Sequence, residues 1–216
     1  MDYYPIFVDL KARAVLVVGG GGVAEGKVQG LLLASADVTV VAPQLTATLR
    51  TLVAAGRIHH ASREYAASDL DGFAVCFVAT DDGAINAQVA ADCRAHGVWV
   101  NAADDPANCD FILPAVVRSG KVVVAASTGG ASPAMARRLR EELTAFLDED
   151  YAPLTDLLAE TRAEVRAANL RVDPETWQNA IDARLRTLVA QGRVDEARDH
   201  LRQTLGVEPS PARREG

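Results

Sequence analysis

Metal-binding chemistry has little to work with in this sequence. Its three cysteines, Cys76, Cys93 and Cys109, match no metal-ligand spacing, and its four histidines, His59, His60, His96 and His200, have no ligand context. His59 and His60 fall in a short β-type stretch, where neighbouring side chains point to opposite faces, so a shared ion is not expected. An odd cysteine count reads as free thiols in a reducing cytoplasm rather than as a disulfide framework. Long hydrophobic runs are missing too: no stretch approaches a membrane span, and none at the N-terminus resembles a signal peptide. Positive charge is in deficit, with 22 Lys and Arg against 29 Asp and Glu and a net charge of −7. That argues against general binding to nucleic acid or an anionic membrane, and any anionic ligand must be met by a local basic cluster. A Tyr-x-x-x-Lys pair is also absent, since neither Tyr65 nor Tyr151 has a lysine four residues on. This argues against the catalytic pair of short-chain dehydrogenases.

What is present suits one large domain or a domain with an appendage: 216 residues, 49% hydrophobic and 24% charged. Apolar strand candidates at 14–18, 38–42, 74–78 and 98–100, with a short one at 58–60, alternate with helical stretches at 23–34, 46–55 and 83–95. Continuous apolar strands imply that both sheet faces are covered, which predicts a parallel sheet with helices on each side. After Asn101 the pattern changes. Residues 111–117 and 121–126 are β-rich and read as a hairpin-like pair about Arg118-Ser119-Gly120. A helix over 134–147 follows, with Ser132 as its N-cap and Pro133 in its first turn. From Tyr151 the chain reads as helical: Asp173-Pro174 starts one helix, Gly192 ends it, another runs to Leu205, and the last ten residues form a frayed tail. Gly26 and Gly30 sit inside the first helix, and close packing on the sheet is one explanation for them.

Residues 14–27, AVLVVGGGGVAEGK, hold the densest chemistry. An apolar strand runs into four glycines and then a helix, with the spacing Gly19-x-Gly21-x-x-Ala24. Gly19 permits the tight turn, Gly21 lets a pyrophosphate approach the backbone, and Ala24 lets the helix pack closely. The free N–H groups at the helix start face the anion. The second strand ends Val41-Ala42-Pro43-Gln44 with no acid to hold an adenine ribose, so backbone at 42–44 or the Gln44 side chain must substitute. No adjacent arginine marks a 2′-phosphate pocket, which favours NAD over NADP.

Two further clusters carry chemistry. Asp104 and Asp105 follow the last parallel strand, where catalytic groups of such sheets gather, although Asp before Pro106 also reads as turn chemistry. The loop 127–133, STGGASP, brings Gly129 and Gly130 before a helix start, an arrangement that can receive an anion. Arg137, Arg138 and Arg140 follow within two turns, and Arg118 and Lys121 flank the hairpin turn. This cluster reads as a site for a carboxylate-rich or phosphate-bearing ligand, or equally as a solvated helix face, since Glu141 and Glu142 come next.

Taken together, these segments resemble the siroheme-synthase dehydrogenase family. The resemblance rests on Tyr4-Pro5-Ile6-Phe7, on the glycine motif from Val17 through Gly22, Val23 and Ala24 with Lys27, and on Ala79-Thr80-Asp81-Asp82 with Asn86. It extends to Asn101-x-x-Asp104-x-Pro106, Phe111-Ile112-Leu113-Pro114, the loop Ser127-Thr128-Gly129-Gly130-Ala131-Ser132-Pro133, and Arg137-x-Leu139-Arg140-Glu141. No methyltransferase region like that of trifunctional members is present in these 216 residues. The resemblance implies a Rossmann-type NAD-binding domain over 1–113, a central β-hairpin and helix dimerisation region over 114–150, and a helical C-terminal domain over 151–216. It implies a homodimer that oxidises precorrin-2 to sirohydrochlorin with NAD⁺, with Fe²⁺ as a second substrate in bifunctional members. Asp104 falls on the family's catalytic aspartate. Gly19, Gly21, Gly22, Val23, Ala24, Pro43, Gln44 and Thr80 are then the expected cofactor contacts. Ser127, Thr128, Gly129, Gly130, Ser132, Arg118, Lys121 and Arg137 are the expected substrate contacts. The alternative is a non-catalytic regulator that binds NAD or a tetrapyrrole on the same fold.

Overall fold

The computed structural model describes residues 3–147 and 150–207, and the chain divides into two compact units, Met1–Leu113 and Pro114–Gly216. In the first unit, five short stretches, all but His59–Ala61 largely apolar, become β1 (Ala14–Val18), β2 (Asp37–Val41), β3 (His59–Ala61), β4 (Val75–Val78) and β5 (Trp99–Ala102). They form one parallel sheet in the order β3-β2-β1-β4-β5. Helices α1 (Gly22–Leu33), α2 (Ala47–Ala54) and α3 (Gly83–His96) supply the crossovers.

Side-chain alternation along the strands divides the core. Val15, Val17, Val38, Val40 and Phe77 face Ala24, Val28 and Leu31 of α1 and Leu49 of α2. Leu16, Val18, Cys76, Val78 and Val100 face Val89, Ala90 and Cys93 of α3. Both faces are therefore covered, the condition under which strands can be apolar at every position. The chain order reverses between β1 and β4, which opens a crevice beyond their carboxyl ends.

The second unit begins with an antiparallel pair, β6 (Ala115–Ser119) and β7 (Val122–Ala126). Only Gly120 and Lys121 connect them, and Gly120 takes the positive φ (+55°) that such two-residue hairpins favour. The strand expected from residue 111 starts at Ala115 instead. The Phe111 ring packs edge-on against Phe77 at 5.6 Å, and Pro114 has no N–H to give a ladder.

Helix α4 (Pro133–Phe146) follows with its Ser132 cap, whose hydroxyl accepts the Met135 amide at 3.2 Å. Then come α5 (Tyr151–Ala167), α6 (Pro174–Ala180), α7 (Ala183–Ala190) and α8 (Val194–Leu205), packed around Leu157, Leu185 and Leu201. The single helix expected between Asp173 and Gly192 is two helices. Asp182 is extended there (φ −87°, ψ 173°), and its carboxylate caps α7 by accepting the Leu185 amide at 2.7 Å. The same carboxylate meets His200 Nε2 of α8 at 2.9 Å, which fixes the break in the packing. Apart from Val207, the expected tail lies outside the described residues. Gly26 and Gly30 both look onto open space, so close packing is not their reason.

Candidate functional site

The glycine turn sits at the switch point between β1 and β4. Gly19 has φ +119°, and a Cβ there would stand 2.2 Å from the Ala79 carbonyl oxygen. Gly20 is as tightly confined: a Cβ would come within 1.9 Å of the Gln44 oxygen. The Gly20 carbonyl also accepts the Thr46 amide at 3.0 Å, while the Thr46 hydroxyl donates to Glu25 of α1 at 2.6 Å. Sequence spacing overlooked Gly20, Thr46 and Glu25, because the motif names glycines by their distance from the ligand. The backbone of the β2–α2 loop, which demands a glycine at 20, is far away in sequence.

A different role falls to Gly21 and Gly22. Neither would bring a Cβ near any protein atom, so the space above them is open. Gly21 is the N-cap of α1 and offers no side chain to its amides. The first amide paired back to it belongs to Glu25, which leaves the N–H groups of Gly22, Val23 and Ala24 without a partner among the described residues. Val23 is half-exposed at this rim, while Ala24 is fully buried and brings α1 close to the sheet. An open rim, free amides and the positive end of a helix together fit the pyrophosphate of a dinucleotide.

Beside this turn, exposed Pro43 and Gln44 border a groove of about 560 Å³ that also includes Arg50, His60 and Ser62. Arg50 donates to the Leu45 carbonyl, and His60 Nε2 lies 2.9 Å from the Ala42 carbonyl. No carboxylate lines this groove. At the end of β4, the Thr80 hydroxyl donates to Asn86 Oδ1 at 2.6 Å, and Asn86 Nδ2 returns a bond to the Thr80 carbonyl at 3.1 Å. The side chain of Thr80 therefore braces the turn into α3.

The two aspartates after β5 differ in what they do. Asp105 accepts from Asn108 Nδ2 at 2.7 Å and precedes a short 3-10 turn at Pro106–Asn108, so it serves the turn chemistry. Asp104 is exposed, accepts no hydrogen bond among the described residues, and holds a left-handed backbone (φ +58°). Aspartate tolerates that region better than most residues. The loop is tied down around it: the Cys109 sulfur accepts the Ala102 amide at 3.2 Å and lies 3.1 Å from the Ala102 carbonyl. Burial pushes the Cys109 thiol up from its ordinary value.

Asn101, just before Asp104, is buried and sits at a junction. It donates to the Phe111 carbonyl at 2.9 Å and accepts from Lys27 Nζ of α1 at 3.2 Å.

In the second unit, the loop 127–133 is largely satisfied internally. The Ser127 hydroxyl accepts the Gly129 amide at 3.0 Å, and the Thr128 oxygen accepts the Ser132 amide at 3.2 Å. Gly129 and Gly130 both have positive φ. Lys121 is paired with Asp156 of α5 at 2.8 Å, which holds its ammonium above the usual lysine range. Arg138 is paired with Glu142. Arg118 and Arg137 are exposed, with no ion-pair partner among the described residues. Among those residues, no group of three or more His, Cys, Asp or Glu could hold a metal ion. Among the described residues, no helix is long and apolar enough to cross a membrane.

Residues 6–115 match the family model described as putative NAD(P)-binding, and residues 124–145 match one described as sirohaem biosynthesis protein central. A siroheme synthase of Serratia proteamaculans is 39% identical over 207 residues, covering 95% of this chain and 44% of that protein. One from Methylococcus capsulatus is 41% identical over 199 residues, covering 91% and 42% respectively. The chain thus spans less than half the length of these curated relatives. A solved structure of SirC, precorrin-2 dehydrogenase, matches with a TM-score of 0.78 and 32% identity, over 94% of this chain and 98% of its own.

Proposed function

The chain belongs to the family of siroheme synthases and precorrin-2 dehydrogenase, and from that premise we propose that it oxidises precorrin-2 to sirohydrochlorin with NAD⁺. The observation that carries the reading is the pairing of an open glycine rim with an unpartnered carboxylate, Asp104, at the carboxyl end of the same sheet. NAD⁺ supplies the hydride acceptor when bound. The amides of Gly22, Val23 and Ala24 hold its pyrophosphate, and Pro43 and Gln44 border its adenine ribose. The turn braced by Thr80 walls the crevice.

Oxidation removes a proton along with the hydride. Asp104 takes that proton as a general base, a role supported by its exposed carboxylate at the end of the sheet. Arg118, Arg137 and the backbone of Gly129 and Gly130 receive the carboxylates that ring the substrate, with Ser127, Thr128 and Ser132 shaping their loop. Lys121 joins them only by exchanging its Asp156 partner. The same Asp104 carboxylate suits Fe²⁺ as a second substrate, since ferrous ion accepts oxygen ligands. The protein acts in the cytoplasm, where its three free thiols stay reduced. It acts as a homodimer joined through the 114–150 region.

Anaerobic incubation with precorrin-2 and NAD⁺ tests the reading through NADH and sirohydrochlorin absorbance, with Fe²⁺ added afterwards. NADH is expected in step with sirohydrochlorin. Asp104→Asn is expected to lower turnover by on the order of 10²-fold or more while NAD⁺ binding survives. Full turnover in that variant would remove Asp104 from the mechanism. The missing carboxylate beyond β2 favours a second reading, a regulator that binds NAD or a tetrapyrrole without turnover. NAD⁺ binding with no NADH would select it.

A further inference from the structure

Packing gives no account of Lys27. It lies in the second turn of α1, half-buried, on a helix whose contact with the sheet is already made by Ala24, Val28 and Leu31. Its Nζ donates to Asn101 Oδ1 at 3.2 Å and stands 5.9 Å from the centre of the Phe77 ring. Asn101 is itself buried and anchored on its other side to the Phe111 carbonyl, so the acceptor cannot turn away. Phe111 in turn packs edge-on against Phe77. The ammonium is therefore held from β4 and β5, whose contacting side chains are fixed in turn by Phe111.

Of its three N–H donors, only the one given to Asn101 has a partner among the described residues. Burial pulls Lys27 below the ordinary lysine range, while Cys109, once ionised, and Asp104 oppose the fall. Asp105 and Asp110 act on Cys109 from the same loop. A half-buried cation with donors to spare lowers stability unless it serves something else.

We propose that Lys27 is a positioning residue for Asp104: its ammonium, fixed by Asn101 over the Phe77 ring, sets where the Asp104 carboxylate points. The inference rests on the reading of Asp104 as the proton-handling group. Asp104 accepts no hydrogen bond that would orient it, and its backbone is left-handed, so a nearby cation is the orienting influence the loop otherwise lacks. Attraction between the two charges strengthens when a bound substrate excludes water.

The test uses the full chain, in which Lys11, Lys27 and Lys121 are the only lysines, so ¹³C-labelled side chains resolve by NMR. Without any substrate, Asp104→Asn is expected to lower the titration midpoint of Lys27, because one influence holding it up is gone. An unmoved midpoint overturns the proposal. With precorrin-2 and NAD⁺, Lys27→Met is expected to lose on the order of 10²-fold in kcat, with KM and NAD⁺ affinity changed only a few-fold. Lys27→Arg is expected to recover most of kcat and to move the alkaline limb of the pH profile upward, since guanidinium stays charged. Cys109→Ser should keep the limb of the parent protein, which separates the thiol's own ionisation from that of Lys27. Equal loss in the Arg and Met variants with an unshifted limb would mean a structural role and overturn the proposal. If the parent protein makes no NADH, the functional reading falls, and the NMR titration still decides whether Lys27 and Asp104 are coupled.

Discussion

β4, Val-Cys-Phe-Val, and β7, Val-Val-Val-Ala-Ala, are equally apolar, yet all four residues of β4 are buried and none of β7 is. The difference lies in what covers them. β4 sits between β1 and β5 with helices on both faces, whereas β7 has one partner strand. Helix α4 repeats the contrast: none of its 14 residues is buried, and Met135 and Phe146 stand exposed. A two-stranded ribbon is marginal unless a helix packs on it, and here the amphipathic α4 packs on β6 and β7 while its outer face stays exposed. The first unit is thus a finished core, whereas the hairpin with α4 buries little of its own apolar surface. In the proposed homodimer a second copy of the chain would cover that surface.

Substitutions in each should separate the two regions. Leu16→Ala removes a fully buried side chain from the middle of β1 and is expected to cost about 2–5 kcal/mol, read as a fall in thermal or urea stability. Phe146→Ser combined with Met135→Ser should leave the helical content of the chain unchanged. It should instead shift sedimentation from dimer toward monomer and make stability less dependent on concentration. If that pair of changes leaves sedimentation untouched, the exposed face of α4 is not the dimer surface.

The contrast also marks how far residues alone reveal the molecule. The parallel sheet was legible because most of its strands are short apolar runs that alternate with helical stretches. Asp104 was legible by position, after the last parallel strand, but its separation from Asp105 was not. That depends on Asn108 engaging one carboxylate and leaving the other. Gly20 was missed because its constraint, the Gln44 carbonyl, comes from a loop 24 residues away in the chain. Lys121 resembled a free cation in sequence and is paired with Asp156 of α5. The break at Asp182 was hidden because its capping bond to Leu185 and its contact with His200 need the tertiary arrangement of α7 and α8.

That break offers a gentler way to sharpen the comparison, since α5–α8 do own a core while the hairpin does not. The Asp182 carboxyl is held below its usual range by the Leu185 amide and, secondarily, by His200. A depressed carboxyl contributes stability that is full above the unfolded value of roughly 3.9 and fades as pH falls through the folded value. Asp182→Ala is expected to cost about 1 kcal/mol at neutral pH through loss of the cap. The gap from the parent protein should close in acid, where the parent's own carboxyl is protonated. A gap that stays constant down to acid pH would show that the charge at residue 182 contributes nothing.

The smallest effect tests whether the first unit is as finished as its burial suggests. Gly26 and Gly30 lie on the exposed side of α1, and a Cβ at either would meet no atom within 4 Å. Each glycine in a helix interior lowers stability by roughly 0.5–1 kcal/mol relative to alanine. Gly26→Ala and Gly30→Ala should therefore each stabilise the chain by about that amount, read as a higher urea midpoint at constant slope. NAD⁺ affinity should not change, because both residues lie beyond the first-turn amides proposed to hold the pyrophosphate. A loss of affinity or turnover in either variant, with the stability gain intact, would mean that a ligand or a second chain approaches this face of α1. The first unit would then share the incompleteness of the hairpin, and the contrast between the two would be one of degree.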